Sequence, residues 1–141
     1  MSGTVFDDAY LPMTDPPMLA LADDDELHAE LVCTWLEHHG FRVMHFPSGD
    51  ELLSWASAGE RHVDAFLLDI DMPGRDGIQS SRELRALGSY ARVPTVFVSS
   101  TSPRAIVDAA ADSGRLEFIR KDGQMFVRLA EWLSENIYSA T

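Results

Sequence analysis

The segment Ala65-Phe66-Leu67-Leu68-Asp69-Ile70-Asp71-Met72-Pro73-Gly74-Arg75-Asp76-Gly77 constrains this chain most. Phe66, Leu67 and Leu68 form a continuous apolar run, the pattern of a strand buried on both faces in a parallel sheet covered by helices. The run closes on an acid, and the residues after it do not extend a strand. Pro73 lacks an amide donor, and Gly74 and Gly77 permit turns. Asp69 is therefore expected where a buried strand meets a surface loop. In open α/β sheets, ligands bind in the crevice beyond the carboxyl ends of the strands. An Asp at that place also suits a simple turn or helix cap. The choice between the two depends on whether other strands end in acid.

The rest of the chain supplies the neighbours. Residues 1–17 hold Pro12, Pro16, Pro17 and three Asp, and read as a flexible N-terminal arm ahead of a domain over 18–141. Met18 to Ala22 is a short apolar strand that runs straight into Asp23-Asp24-Asp25-Glu26. A helix comes next, with Leu27, Leu31 and Trp35 as its apolar stripe, Val32 and Leu36 beside them, and Gly40 as the stop. His28, His38 and His39 share that helix; the adjacent pair near its end suits solvent and the helix dipole better than a metal. Phe41 to Phe46 reads as a second strand. Ser48 and Glu51 match a capping box that opens a helix through Leu52, Leu53, Trp55 and Ala56.

Beyond the Asp69 loop, the spacing predicts a helix over Ile78 to Leu87, with Leu84 and Leu87 inward. Pro94 to Val98 is a β-branched strand ending in Ser99 and Ser100. Ser102 followed by Pro103 is a helix start, and that Ala-rich helix carries Ile106, Val107 and Ala110 to a stop near Gly114. Glu117 to Arg120 is a short strand followed by Lys121. A last helix from Gln124 to Ile137 has Phe126, Leu129, Leu133 and Ile137 as its inner stripe. Five strand-helix units in alternation predict an α/β fold: a doubly wound, five-stranded parallel sheet flanked by five helices.

Charge excludes some functions. A formal net charge of -12 argues against binding nucleic acid or an anionic membrane through bulk electrostatics. The single cysteine, Cys33, sits in a helical apolar pattern and implies no disulfide framework. No leader or membrane-spanning run is visible, so the cytoplasm is the expected compartment.

In a parallel sheet every strand's carboxyl end opens on one edge. Gathered there are Asp23 and Asp24, then Asp69 and Asp71, then Ser99, then Lys121. Clustered carboxylates repel one another, and one of them holds a proton unless a cation intervenes. Mg²⁺ takes oxygen ligands and commonly bridges carboxylates to substrate phosphate. A lysine and a hydroxyl complete a pocket for a phosphoryl group. The chemistry that fits is attack of the Asp69 carboxylate on phosphorus, giving an acyl phosphate.

With these residues in place the sequence resembles the receiver domain of two-component response regulators, from about Pro17 to Ile137. The acidic pair is matched by Asp23 and Asp24, and the phosphoacceptor by Asp69 with Met72-Pro73 and Asp76-Gly77 after it. Ser99 and Ser100 match the hydroxyl and small residue after the fourth strand, Phe118 the aromatic of the fifth, and Lys121 the lysine. The resemblance implies a flavodoxin-like sheet of order 2-1-3-4-5. It implies Mg²⁺ on the Asp24 and Asp69 carboxylates and the Asp71 main-chain carbonyl, with Asp23 helping through water. It implies phosphorylation by a histidine kinase or histidine phosphotransfer protein, and a switch in which Ser99 and Phe118 move and bias a protein-binding face for an output partner. Homodimerisation is compatible with such a face.

The chain departs from the family pattern at Asp122, where proline is usual after the lysine. It also departs at Asp71, which adds a negative side chain beside the acceptor. These departures are the ones a degenerate receiver, acting as a phosphorylation-independent binding module, would show. A metabolic enzyme is not expected: Asp69-Ile70-Asp71 resembles the haloacid dehalogenase nucleophile motif, but lies mid-chain rather than on the first strand.

Overall fold

Five short strands pair side by side in a computed structural model that describes residues 15–59, 61–100 and 117–138. The strands are β1 (Met18–Ala22), β2 (Arg42–Phe46), β3 (Ala65–Asp69), β4 (Thr95–Ser99) and β5 (Glu117–Arg120). All four pairings are parallel, and the order is β2-β1-β3-β4-β5. The central strand β3 is buried along its whole length. That explains its unbroken apolar composition, since a central parallel strand has no face left for water. The expected sheet is the observed one.

Four α-helices are found among the described residues: α1 (Glu26–His38), α2 (Gly49–Ser57), α3 (Gly77–Ala86) and α4 (Met125–Leu133), the last running into a π-helical turn at Ser134–Tyr138. The fifth expected helix, after Ser102, lies outside the described residues, as do residues 1–14 of the expected arm. Side chains alternate across the sheet. Leu19, Leu21, Leu67, Val96, Val98 and Ile119 meet α1 and α4 on one face. Ala20, Ala22, Phe66, Leu68 and Phe97 meet α2 and α3 on the other. Leu67 and Leu68 are fully buried. Each contributes about 2 kcal/mol of burial free energy, so β3 is held from both sides.

Three helix faces differ from expectation. In α1 the inward residues are Ala29, Val32 and Leu36, whereas Leu27 is 82% and Leu31 59% exposed. At roughly 3.6 residues per turn, Leu27 and Leu36 lie two and a half turns apart, so these two leucines point to opposite sides. Of the stripe of every fourth residue, Leu27 and Leu31 face outward, and Trp35 is half-buried against the core. In α3, Leu84 is inward but Leu87 is 42% exposed, because the helix ends at Ala86 and Leu87 forms its cap. In α4 the buried set is Met125, Leu129, Trp132 and Leu133, and Phe126 and Ile137 only flank that core.

Candidate functional site

The carboxyl ends of β1, β3, β4 and β5 converge, and main-chain hydrogen bonds lock their tips together. The Ile70 N–H donates to the Val98 carbonyl at 2.9 Å, and the Lys121 N–H to the Ser99 carbonyl at 2.9 Å. The chain leaves β3 for α3 in little space: a Cβ on Gly77 would lie 2.6 Å from the Asp69 carbonyl oxygen. Asp76 then caps α3 through a reciprocal capping box with Gln79. Glycine at 77 is thus what lets the helix start directly against the acid that ends β3.

Asp69 is 2% exposed. Its Oδ1 accepts the Asp71 N–H at 2.9 Å, and its Oδ2 accepts from Lys121 Nζ at 3.0 Å. Lys121 Nζ also lies 3.9 Å from Asp23 Oδ2. Asp23 is 1% exposed. Its Oδ1 accepts the Asp25 N–H at 2.9 Å, and its Oδ2 lies 2.7 Å from His28 Nδ1. Asp24 is exposed at the rim. One carboxylate oxygen from each of Asp23, Asp24 and Asp69 falls within 4.8 Å of the others. On the far side, Ser99 Oγ donates to Asp71 Oδ2 at 3.0 Å.

These contacts set the protonation of the pair. Burial pushes the Asp69 carboxyl up to about 6; the Asp71 N–H and Lys121 pull it back only in part, and the hydrogen bond with Asp23 adds to the rise. Burial acts in the same direction on Asp23, but His28, the Asp25 N–H, Asp69 and Lys121 outweigh it and hold that carboxyl below its usual value. Two buried acids beside one lysine leave the cluster short of positive charge. Three oxygens facing one another suit a hard divalent cation such as Mg²⁺, so the donor set fits the ion expected from the sequence.

Asp23, Asp24, Asp69 and Lys121 are therefore brought together, and Ser99 and Asp71 lie alongside. Phe118 is half-buried against the α2–α3 side of the core. Asp122 does not displace Lys121. Instead its Oδ1 accepts the Gln124 N–H at 2.8 Å, and its carbonyl accepts the Met125 N–H at 3.1 Å, so it opens α4; the peptide bond before it is trans. Sequence reasoning missed His28. The signal was available: Asp25 caps α1 by accepting the His28 N–H, which places His28 in the first turn beside the acidic strand end. It placed the Asp71 side chain beside the acceptor but missed that side chain's contact with β4, 28 residues distant in sequence.

Comparison with known proteins agrees with this geometry. The family model of the response regulator receiver domain matches residues 19–130. The chain is 36% identical over 80 residues to the cyclic di-GMP phosphodiesterase response regulator RpfG of Xanthomonas campestris pv. campestris, covering 57% of this chain and 21% of that protein. It is 28% identical over 117 residues to the transcriptional regulatory protein CseB of Streptomyces coelicolor, covering 82% and 48% respectively. It thus spans only part of these relatives, between 21% and 48% of their length. Among solved structures, the phosphorylated cyanobacterial phytochrome response regulator RcpA superposes with a TM-score of 0.78 at 20% identity, covering 91% of this chain and 98% of that one. The Vibrio cholerae chemotaxis protein CheY4 superposes with a TM-score of 0.71 at 17% identity, covering 82% and 97%. Fold, strand-end acids and family match converge, and the chain belongs to the response regulator receiver domain family of two-component signalling.

Proposed function

We propose that this domain is a phosphoacceptor, taking a phosphoryl group on Asp69 from the phosphohistidine of a histidine kinase or phosphotransfer protein. The observation that carries the reading is the Lys121 ammonium, 3.0 Å from Asp69 Oδ2 and beside the three-carboxylate cluster. A carboxylate oxygen of Asp69 attacks phosphorus, the bond from phosphorus to the donor's histidine nitrogen breaks, and the imidazole departs with the electron pair. Asp69 reacts as the anion, and neutral pH lies above its raised value of about 6. Lys121 offsets charge on the transferring oxygens, and the Ser99 hydroxyl is the donor placed to follow them. Mg²⁺, held by Asp23, Asp24, Asp69 and the Asp71 carbonyl, would supply the remaining positive charge.

The new charge then biases a switch. Ser99 moves with the phosphoryl group, and Phe118 fills the space that it leaves, changing the face around β5 and α4 that an output protein reads. The donor has its own footprint. α1 starts at the rim of the site, since Asp25 caps it two residues after Asp23. Leu27 and Leu31 lie on its outer face and, with the half-buried Trp35 and Phe126, line an open apolar groove. A protein delivering phosphate to Asp69 covers that groove, which accounts for large apolar side chains kept in solvent.

The test is exposure to acetyl phosphate with Mg²⁺. A label that hydroxylamine removes and that maps to the β3 peptide supports the reading. A stable label elsewhere, or none, overturns it.

A further inference from the structure

Phosphoryl transfer to Asp69 calls on only the main-chain carbonyl of Asp71, and the Asp71 side chain is committed elsewhere. The carboxylate accepts from Ser99 Oγ at 3.1 Å on Oδ1 and 3.0 Å on Oδ2. Oδ2 also accepts the Ser100 N–H at 2.9 Å and Ser100 Oγ at 3.2 Å. Ser99 is 1% exposed, so its hydroxyl has no ready exchange with water. Two hydroxyls and a main-chain N–H at the end of β4 thus already hold an anion. That anion is tethered to the acceptor, because the Asp71 N–H donates to Asp69 Oδ1 at 2.9 Å.

A phosphoryl group on Asp69 would present oxygens to the same donors. One hydroxyl proton serves one strong anionic partner at a time, and two anions sharing the donors repel. We infer that the Asp71 carboxylate is an internal competitor for the phosphoryl-binding donors of β4, and must turn away before Asp69 can hold a phosphoryl group. Asp71 is then a positioning residue that slows phosphoryl uptake. It also keeps Ser99 engaged by a negative charge in the unmodified domain, so phosphorylation exchanges one anion for another. This inference rests on the proposed role of Asp69 and adds a brake to it.

The experiment compares wild type, Asp71→Ala, Asp71→Asn, Ser99→Ala and the Asp71→Ala/Ser99→Ala pair, using acetyl phosphate and Mg²⁺ as donor. Loss of a charge-assisted hydrogen-bond set from the competing state predicts that Asp69 is labelled at least about tenfold faster in Asp71→Ala. Asp71→Asn keeps the shape and loses the charge, and falls between. In the Ser99→Ala background the gain shrinks, because the contested donor is gone. In the unmodified protein, the Ser100 amide proton resonance moves upfield in Asp71→Ala as it loses its carboxylate partner. Labelling of wild type that Asp71→Ala leaves unchanged or slows overturns this inference alone, as does an undiminished gain without Ser99. Absence of Asp69 labelling in every form overturns the phosphoacceptor reading and this inference with it.

Discussion

Replacing Asp69 by Asn should stabilise the metal-free domain at neutral pH. The carboxyl is raised from 3.8 to about 6, chiefly by burial. An acid whose folded pKa is raised keeps its proton in the native state at pH values where the unfolded chain has lost it. Native stability therefore falls as pH climbs through that window, and the full loss is present above it. Two pH units at 1.36 kcal/mol each amount to about 3 kcal/mol. In a domain of this size that is a melting-temperature difference of about 10 °C. Asn keeps the shape of Asp, but its one oxygen accepts from either the Asp71 N–H or Lys121, where the carboxylate serves each with a separate oxygen. That lost bond costs the same at every pH, so the charge is read from how the difference between the two proteins changes with pH. Urea and thermal unfolding with a chelator present, from pH 4 to pH 8, are the assays. The gain should be complete by about pH 7 and absent near pH 4, where the folded protein holds Asp69 protonated. A stability difference between the two proteins that stays the same from pH 4 to pH 7.5 would refute the electrostatic reasoning.

Gly77→Ala should lower stability by about 2 kcal/mol and impair Asp69 chemistry, because its Cβ would approach the Asp69 carbonyl oxygen to 2.6 Å. Urea unfolding and acetyl phosphate labelling read the two effects; a variant unchanged in both would show that the β3–α3 junction yields without cost. Leu27→Glu and Leu31→Glu should leave stability within about 0.5 kcal/mol, as befits exposed sites. They should slow transfer from a phosphorylated donor protein at least about tenfold while sparing acetyl phosphate labelling. Equal loss with both donors would point to damage at the acceptor rather than at a docking face.

The sheet was legible because buried parallel strands have no alternative composition. Met18 to Ala22 and Ala65 to Asp69 announce themselves as apolar runs cut off by charge, and the structure bounds them at those residues. The meeting of Asp23, Asp69 and Lys121 at one edge came from parallel pairing alone. Helix faces were harder. A stripe of leucines says that a side is apolar, not that it is covered; Leu27 and Leu31 match the period of α1, yet Ala29, Val32 and Leu36 are the residues it buries. Side-chain direction in loops was not legible. Nothing local to Asp71 reveals that its carboxylate turns to Ser99 and Ser100 while its N–H serves Asp69. The effect of Asp122 was also hidden, because its role in opening α4 depends on the bonds to Gln124 and Met125.

The most direct measurement is the intact mass of the protein after acetyl phosphate, with Mg²⁺ and with chelator, for wild type and Asp69→Asn. A gain of one phosphoryl group in wild type that needs Mg²⁺ and is lost in Asp69→Asn is the predicted result. An equal gain in Asp69→Asn, or no gain in wild type, would contradict the assignment of Asp69 as the acceptor.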